Sequence, residues 1–333
     1  MLNQSLKLNT KIFNNDGSLE KKSTRHGFGE GLLQAGIENE NVVALSADLT
    51  ESTKVNIFAE KFPDRFIELG VAEQNMASVA SGMASMSKIP FIASYAIFSP
   101  GRNWEQIRTT ICYNNQPVKI IGSHAGLSVG PDGGSHQCLE DIALTRVLPN
   151  MVVISPCDYI EAKKATIASS ETKDPTYIRL ARNDTPVITT SETPFEIGKA
   201  QIVFVPEIGL AHVGIIATGP ILYKTIIAGK ELEKRGIKVK VMNLSTIKPL
   251  DVDAVVALAK EVKAIVTVED HQITGGMGSA VAECLAENYP VPIEFVGVKD
   301  KFGQSGTPSE LEKYYGLDVS DIIEKVQKVL KRK

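Results

Sequence analysis

From residue 23 onward, short and nearly continuous apolar runs alternate with stretches in which apolar residues recur every three or four positions. The runs at 42–46, 65–68, 90–94, 118–122, 152–155 and 176–180 predict strands, and the periodic stretches at 29–38, 55–61, 73–86, 104–113, 139–146 and 159–170 predict helices. Strands apolar on both faces and separated by helices imply a mainly parallel sheet covered on both sides. Residues 183–196, NDTPVITTSETPFE, interrupt the rhythm with Thr and Pro and carry no helical stripe. The alternation then resumes, with strands at 213–217, 239–243, 265–269 and 293–298, a helix running to 235, helices at 252–260 and 278–287, and two more from 309 and 320. The expected fold is α/β, with two three-layer α/β/α domains: a polar lead-in at 1–22 with a turn at NNDGS (14–18), a first domain at 23–183, a linker at 184–198 and a smaller second domain at 199–333.

Composition narrows the classes. The 333 residues are 43% hydrophobic and carry a net charge of -3, enough apolar material for two cores and too little for a disordered chain. Lys and Arg mostly sit beside Glu and Asp, as in KELEKRG at 230–236, so no basic stripe for nucleic acid forms. The four cysteines are far apart and form no CxxC pair, which fits reduced thiols in the cytoplasm. The first 22 residues lack the apolar core of a signal peptide and no later run approaches a membrane span, so a soluble, cytoplasmic protein is expected. Motifs for a P-loop, a zinc protease, a serine esterase or a Cys/His zinc site do not occur.

In parallel α/β sheets, ligands gather at the carboxyl ends of strands, where loops and helix N-termini converge. Four successive strand ends here carry chemistry: Asp48 after the first, 70–73 after the second, 95–102 after the third, and HAGLSVGPDGGSHQ (124–137) after the fourth. The last stretch holds four Gly and one Pro, which disfavour a helix or a sheet interior, and places His124 and His136 around Asp132. It reads as a ligand loop or, on spacing alone, as an ordinary polar loop. Glu73 shares a helix face with Met76, Ala77 and Ala80, either as a first-turn acid favoured by the helix dipole or as a dehydrated carboxylic acid able to share a proton with a ligand nitrogen. Tyr95 and Phe98 are core aromatics or rings flanking a flat heterocycle. Arg25, Ser52, Arg102 and Arg182 are candidate anion contacts. GGMG at 275–278 lacks the opening position of a dinucleotide fingerprint.

Taken together, SADLTES (46–52), ELGVAEQNM (68–76), the aromatic segment before Arg102, HAGLSVGPDGGSHQ, LEDIALTRVLPNMVVISPCD (139–158) and VEDHQITGGMGSAVAE (268–283) resemble the transketolase family of thiamine-diphosphate enzymes, in family order over nearly the whole chain. The resemblance implies a pyrimidine-binding domain followed by the family's C-terminal domain. It also implies that Glu73 hydrogen-bonds the aminopyrimidine N1′ and helps remove the thiazolium C2 proton, that Tyr95 and Phe98 sandwich the pyrimidine, and that Asp48 lies near the thiazolium. His124 and Asp132 would then bind the sugar hydroxyls and reacting carbonyl, His136 the distal polar groups, and Arg25, Ser52 and Arg182 the phosphate. The equivalence of Arg102 stays open.

A full-length transketolase begins with a domain that binds the diphosphate through GDG and a divalent metal. No such domain precedes Thr24 here, so the resemblance implies a separate N-terminal subunit carrying Mg²⁺ or Ca²⁺, in an α₂β₂ assembly. The implied activity is transfer of a two-carbon ketol group from a ketose phosphate to an aldose phosphate. Three alternatives remain: a subunit like 1-deoxy-D-xylulose-5-phosphate synthase, one like the beta subunit of a 2-oxo-acid dehydrogenase, and a non-catalytic orphan subunit with a binding or regulatory role.

Overall fold

A computed structural model describes residues 1–14 and 16–333. The turn expected at 14–18 falls in part on residue 15, outside the described residues. The strands are β1 (Lys21–Lys22), β2 (Val42–Ser46), β3 (Phe66–Glu68), β4 (Ile89–Tyr95), β5 (Lys119–Ser123), β6 (Val152–Ile154), β7 (Thr176–Arg179), β8 (Thr185–Pro186), β9 (Gln201–Phe204), β10 (Val213–Ala217), β11 (Val239–Asn243), β12 (Thr246–Lys248), β13 (Ile265–Gln272) and β14 (Ile293–Val298). The helices are α1 (Thr24–Glu38), α2 (Thr50–Thr53), α3 (Asn56–Lys61), α4 (Glu73–Ser85), α5 (Trp104–Gln106), α6 (Asp141–Arg146), α7 (Tyr159–Ser170), α8 (Leu222–Lys234), α9 (Val252–Val262), α10 (Met277–Asn288), α11 (Pro308–Tyr314) and α12 (Val319–Leu330).

The first sheet has the order β12-β6-β7-β5-β4-β2-β3 and the second β14-β13-β10-β11-β9. The six strands predicted for the first domain pair in parallel. Because side chains alternate across a strand, Val43 and Leu45 enter one core while Val42 and Ala44 enter the core on the opposite face. Helices α1 and α7 lie so close together that a Cβ on Gly31 would stand 2.7 Å from the Lys163 carbonyl. That packing fixes α1, whose first turn carries Arg25.

Several features depart from the expected pattern. Strand β12 follows the second domain's β11 but pairs antiparallel with β6, so the second domain supplies the last strand of the first sheet. Strand β9 joins the second sheet antiparallel to β11. The polar lead-in buries Leu8 and Ile12 in the second domain's core, and the Asn3 amide donates to the Val203 carbonyl. Helix α1 starts at Thr24 instead of 29, and the helix expected at 104–113 is one α-turn followed by a π-turn over Ile107–Cys112. One core runs between the sheets, joining Leu45, Met76 and Ile120 to Met242, Val255 and Val281. No helix of the described residues is long and apolar enough to cross a membrane.

Candidate active site

Glu73 opens α4 at the carboxyl edge of the first sheet and is 1% exposed, with Met76, Ala77 and Ala80 buried along the same face. Its Oε2 accepts a hydrogen bond from Arg102 Nη1 at 2.8 Å. Its Oε1 makes no hydrogen bond among the described residues. Asn103 Nδ2 donates to the Glu73 carbonyl at 3.1 Å and to Ser99 Oγ at 3.1 Å, and its buried Oδ1 has no partner. The Arg102 guanidinium also lies 4.9 Å from the Phe98 ring centre. The arginine whose role the sequence left open therefore touches both the candidate acid and one candidate ring.

The aromatic segment forms a stack with the histidine loop. Tyr95 and Phe98 lie nearly parallel, with centroids 6.1 Å apart and planes at 14°. A flat ring in contact with both would need roughly 7 Å, so a modest opening admits one. Tyr95 stacks its ring on His124 at 3.8 Å, and His136 meets Phe98 edge-on at 5.7 Å. His124 has a left-handed backbone (φ 55) and is 2% exposed, and its Nδ1 is 2.9 Å from Ser123 Oγ. Burial, reinforced by the charges of Arg25, Arg182 and His136, pushes its pKa down to about 3. It therefore works as a neutral imidazole, a donor or acceptor of hydrogen bonds without a charge. Ser135 Oγ lies 3.0 Å from His136 Nδ1.

Arg25 and Arg182 frame the neighbouring side of this stack. Arg25 Nη1 donates to the Ser52 carbonyl at 2.7 Å, and its buried Nε has no partner. Burial, then the charge of Arg182, push the Arg25 guanidinium below its usual pKa. Arg182 Nη1 donates to the Val129 carbonyl at 2.5 Å and reaches Asp132 Oδ1 at 3.3 Å. Two guanidiniums that repel one another, one with an unsatisfied donor, make a site suited to an anion with several oxygens.

Asp48 stands apart from this network. Its side chain is exposed, its φ is 60, and its amide donates to Glu68 Oε1 at 2.7 Å. Glu68 also accepts from the Gly70 amide and the Thr50 hydroxyl. Partial burial pushes the Glu68 carboxyl up, but those donors outweigh it and hold it below its usual pKa. Glu68, which holds the Asp48 backbone, and Asn103, which holds the Glu73 carbonyl, were not singled out from sequence. The one signal for Glu68 was a place in the quoted ELGVAEQNM stretch.

The 124–137 loop forms 3-10 turns over Gly126–Asp132 and is held by the second domain through Asp270. The weak GGMG motif has an internal use: Glu269 accepts from the Met277 and Gly278 amides at 2.7 and 2.9 Å, capping α10. Among the described residues no group of three or more His, Cys, Asp or Glu could hold a metal ion.

Comparison with known proteins agrees with this architecture. Residues 20–187 match the family "Transketolase, pyrimidine binding domain", and residues 209–322 match "Transketolase, C-terminal domain". A Methanocaldococcus jannaschii protein, provisionally described as a transketolase C-terminal section, is 44% identical over 93% of this chain and 97% of its own. The 6-deoxy-6-sulfo-D-fructose transketolase subunit of a Clostridium species is 37% identical over 95% of this chain and 97% of its own. Among solved structures, one described as a split gene transketolase, inactive beta4 tetramer, superposes with a TM-score of 0.86 at 42% identity, covering 93% of this chain and 98% of that one.

Proposed function

The chain belongs to the transketolase family, and from that premise we propose that it forms the pyrimidine-side wall of a thiamine-diphosphate site completed by a separate subunit. The assembled enzyme moves a two-carbon ketol group from a ketose phosphate to an aldose phosphate. The observation that carries this reading is a buried glutamate linked through Arg102 to a nearly parallel aromatic pair, with two arginines framing the same sheet edge. The nearly parallel rings of Tyr95 and Phe98 suit a flat cofactor ring, and the orphaned Arg25 Nε suits an anionic sugar.

Bound there, thiamine diphosphate supplies the electron sink for breaking and making the carbon–carbon bond. Glu73, 1% exposed, would hold and move a proton at the pyrimidine N1′. Tyr95 and Phe98 would hold the pyrimidine ring, and Asp48 would lie near the thiazolium. Neutral His124, with Asp132, orients the sugar hydroxyls and the reacting carbonyl, and His136 meets the distal polar groups. Arg25 and Arg182 take the sugar's anionic end, with Ser52 fixing Arg25. The Clostridium relative, a 6-deoxy-6-sulfo-D-fructose transketolase subunit, favours a second reading, in which that anion is a sulfonate on the ketose.

We assign the diphosphate and the Mg²⁺ or Ca²⁺ to the partner subunit, in an α₂β₂ complex. The inactivity of the split-gene β4 tetramer supports dependence on a partner. The four free, buried cysteines support a reducing, cytoplasmic setting. The test mixes this chain with a subunit carrying the diphosphate-binding domain, thiamine diphosphate, Mg²⁺, xylulose 5-phosphate and ribose 5-phosphate. Ketol transfer on mixing, and with neither chain alone, is the expected result. Inactivity with a verified cofactor-loaded partner, or turnover of pyruvate alone, overturns the assignment.

A further inference from the structure

The loop that carries His124, Asp132 and His136 leaves the first domain but is held largely by the second. Both oxygens of Asp270, on β13, accept from the Leu127 amide, at 3.2 and 3.1 Å. Gly126 just before it has a φ of 72, and a Cβ there would collide with Asp270 Oδ2. Arg179, at the end of β7, donates to Asp141 Oδ2 at 2.8 Å and to the Asp270 carbonyl at 2.7 Å, so Asp270 is itself fixed from the first domain.

The other end of the loop is gripped as well. Gln137 Nε2 donates to the Gly130 carbonyl at 3.1 Å and to the Gln304 carbonyl at 3.0 Å. A Cβ on Gly133 would lie 2.7 Å from Ser305 Oγ, and one on Gly134 would strike the Gly303 carbonyl. The 303–306 segment and the histidine loop thus interlock closely, and the backbone of Gly134 approaches that of Gly303 at a spacing that leaves no room for a side chain at 134.

We propose that the second domain positions the sugar-binding loop, with Asp270 as the positioning residue: its hold on the Leu127 amide fixes the turn between His124 and Asp132. The proposal rests on the functional reading above, in which that loop meets the sugar. A small shift of a substrate-orienting group lowers productive binding steeply. Asp270 holds the loop itself, whereas the cofactor half meets that loop only where Tyr95 stacks on His124 and Phe98 meets His136, so the cofactor half should feel its loss far less than the sugar half. A purely structural role for Asp270 would weaken both halves together.

The experiment uses the complex reconstituted with its partner and compares wild type, Asp270→Ala and Asp270→Asn. Asparagine keeps an oxygen that can accept from Leu127. Expected for Asp270→Ala is a rise of roughly tenfold in KM for the sugar phosphate with a much smaller change in the thiamine-diphosphate Kd. Asp270→Asn should recover most of that loss. Hydrogen exchange of the Leu127 amide on the isolated chain, which needs no activity, should speed up in Asp270→Ala and stay slow in Asp270→Asn. Unchanged exchange in Asp270→Ala, or equal losses in sugar and cofactor binding, overturns the proposal. Faster exchange in a chain whose wild-type complex turns over no sugar phosphate would sink the functional reading and leave the hold on the loop standing.

Discussion

Replacing Arg102 with methionine removes the cation that touches Glu73 while keeping an unbranched stem over Phe98. Glu73 is 1% exposed and the Arg102 side chain 49%, so the pair lies between two familiar limits. Stranding one member of a fully buried pair costs about 3–5 kcal/mol, whereas an exposed pair contributes about 0–1 kcal/mol. A buried acid with a half-exposed partner falls near the middle, about 2 kcal/mol. Removing the acid too should relieve most of that penalty, because Glu73→Gln leaves no charge stranded in the apolar pocket. The assay is a double-mutant cycle on the isolated chain, read from urea unfolding midpoints. Trp104, the chain's single tryptophan, is a local reporter, since it lies two residues from Arg102 and its Nε1 donates to the Leu144 carbonyl at 2.7 Å. A coupling of about 1–2 kcal/mol is expected. The same midpoint shift from Arg102→Met with Glu73 present and with Glu73→Gln would refute the argument.

Three further outcomes follow from the same geometry. In the partner-reconstituted complex, Glu73→Gln should leave assembly intact and lower turnover by about 10²–10⁴-fold, the range for a lost proton-transfer group; gel filtration and steady-state kinetics check the two halves. Arg182→Ala should lower kcat/KM about 10–100-fold for phosphorylated sugars and much less for unphosphorylated ones, and equal losses would remove the phosphate contact. Burial, with the Asp158 charge beside it, pushes Glu161 from 4.5 up to about 7. The folded chain thus holds this proton more tightly than the unfolded one, so the contribution is full below about 4.5 and is lost as pH rises through about 7. Glu161→Gln should therefore gain Tm relative to wild type between pH 5 and pH 8; the orphaned Oδ1 of Asn243 offers the glutamine amide a partner. A Tm difference that stays constant across that range would contradict the assignment.

Long, repeated patterns made most of the architecture readable. The parallel strands of both sheets are apolar runs, and Glu73 could be placed on a buried face from helical spacing with Met76, Ala77 and Ala80. Strand β12 escaped notice because three residues, Thr-Ile-Lys, carry too little pattern, and their pairing with β6 is decided by how two domains dock. Leu8 and Ile12 were hidden in a mostly polar lead-in, whose scattered apolar residues form no period. Within the site, Glu73 and Arg102 are 29 positions apart, and Asp270 and Leu127 are 143 apart. No local spacing encodes such meetings. The residue types were visible as a set, but their partners come from tertiary packing.

Strand β12 has a consequence for anyone who would cut this chain in two. Without it, β6 would present an uncovered row of amides and carbonyls beside the side chains of Val152, Val153 and Ile154, with Lys248 no longer opposite Val153. Such a margin is a template for another copy of itself, and natural sheets guard against it. A fragment ending before residue 246 is therefore expected to self-associate, and the pyrimidine-side half should stay dispersed only while the other half remains attached.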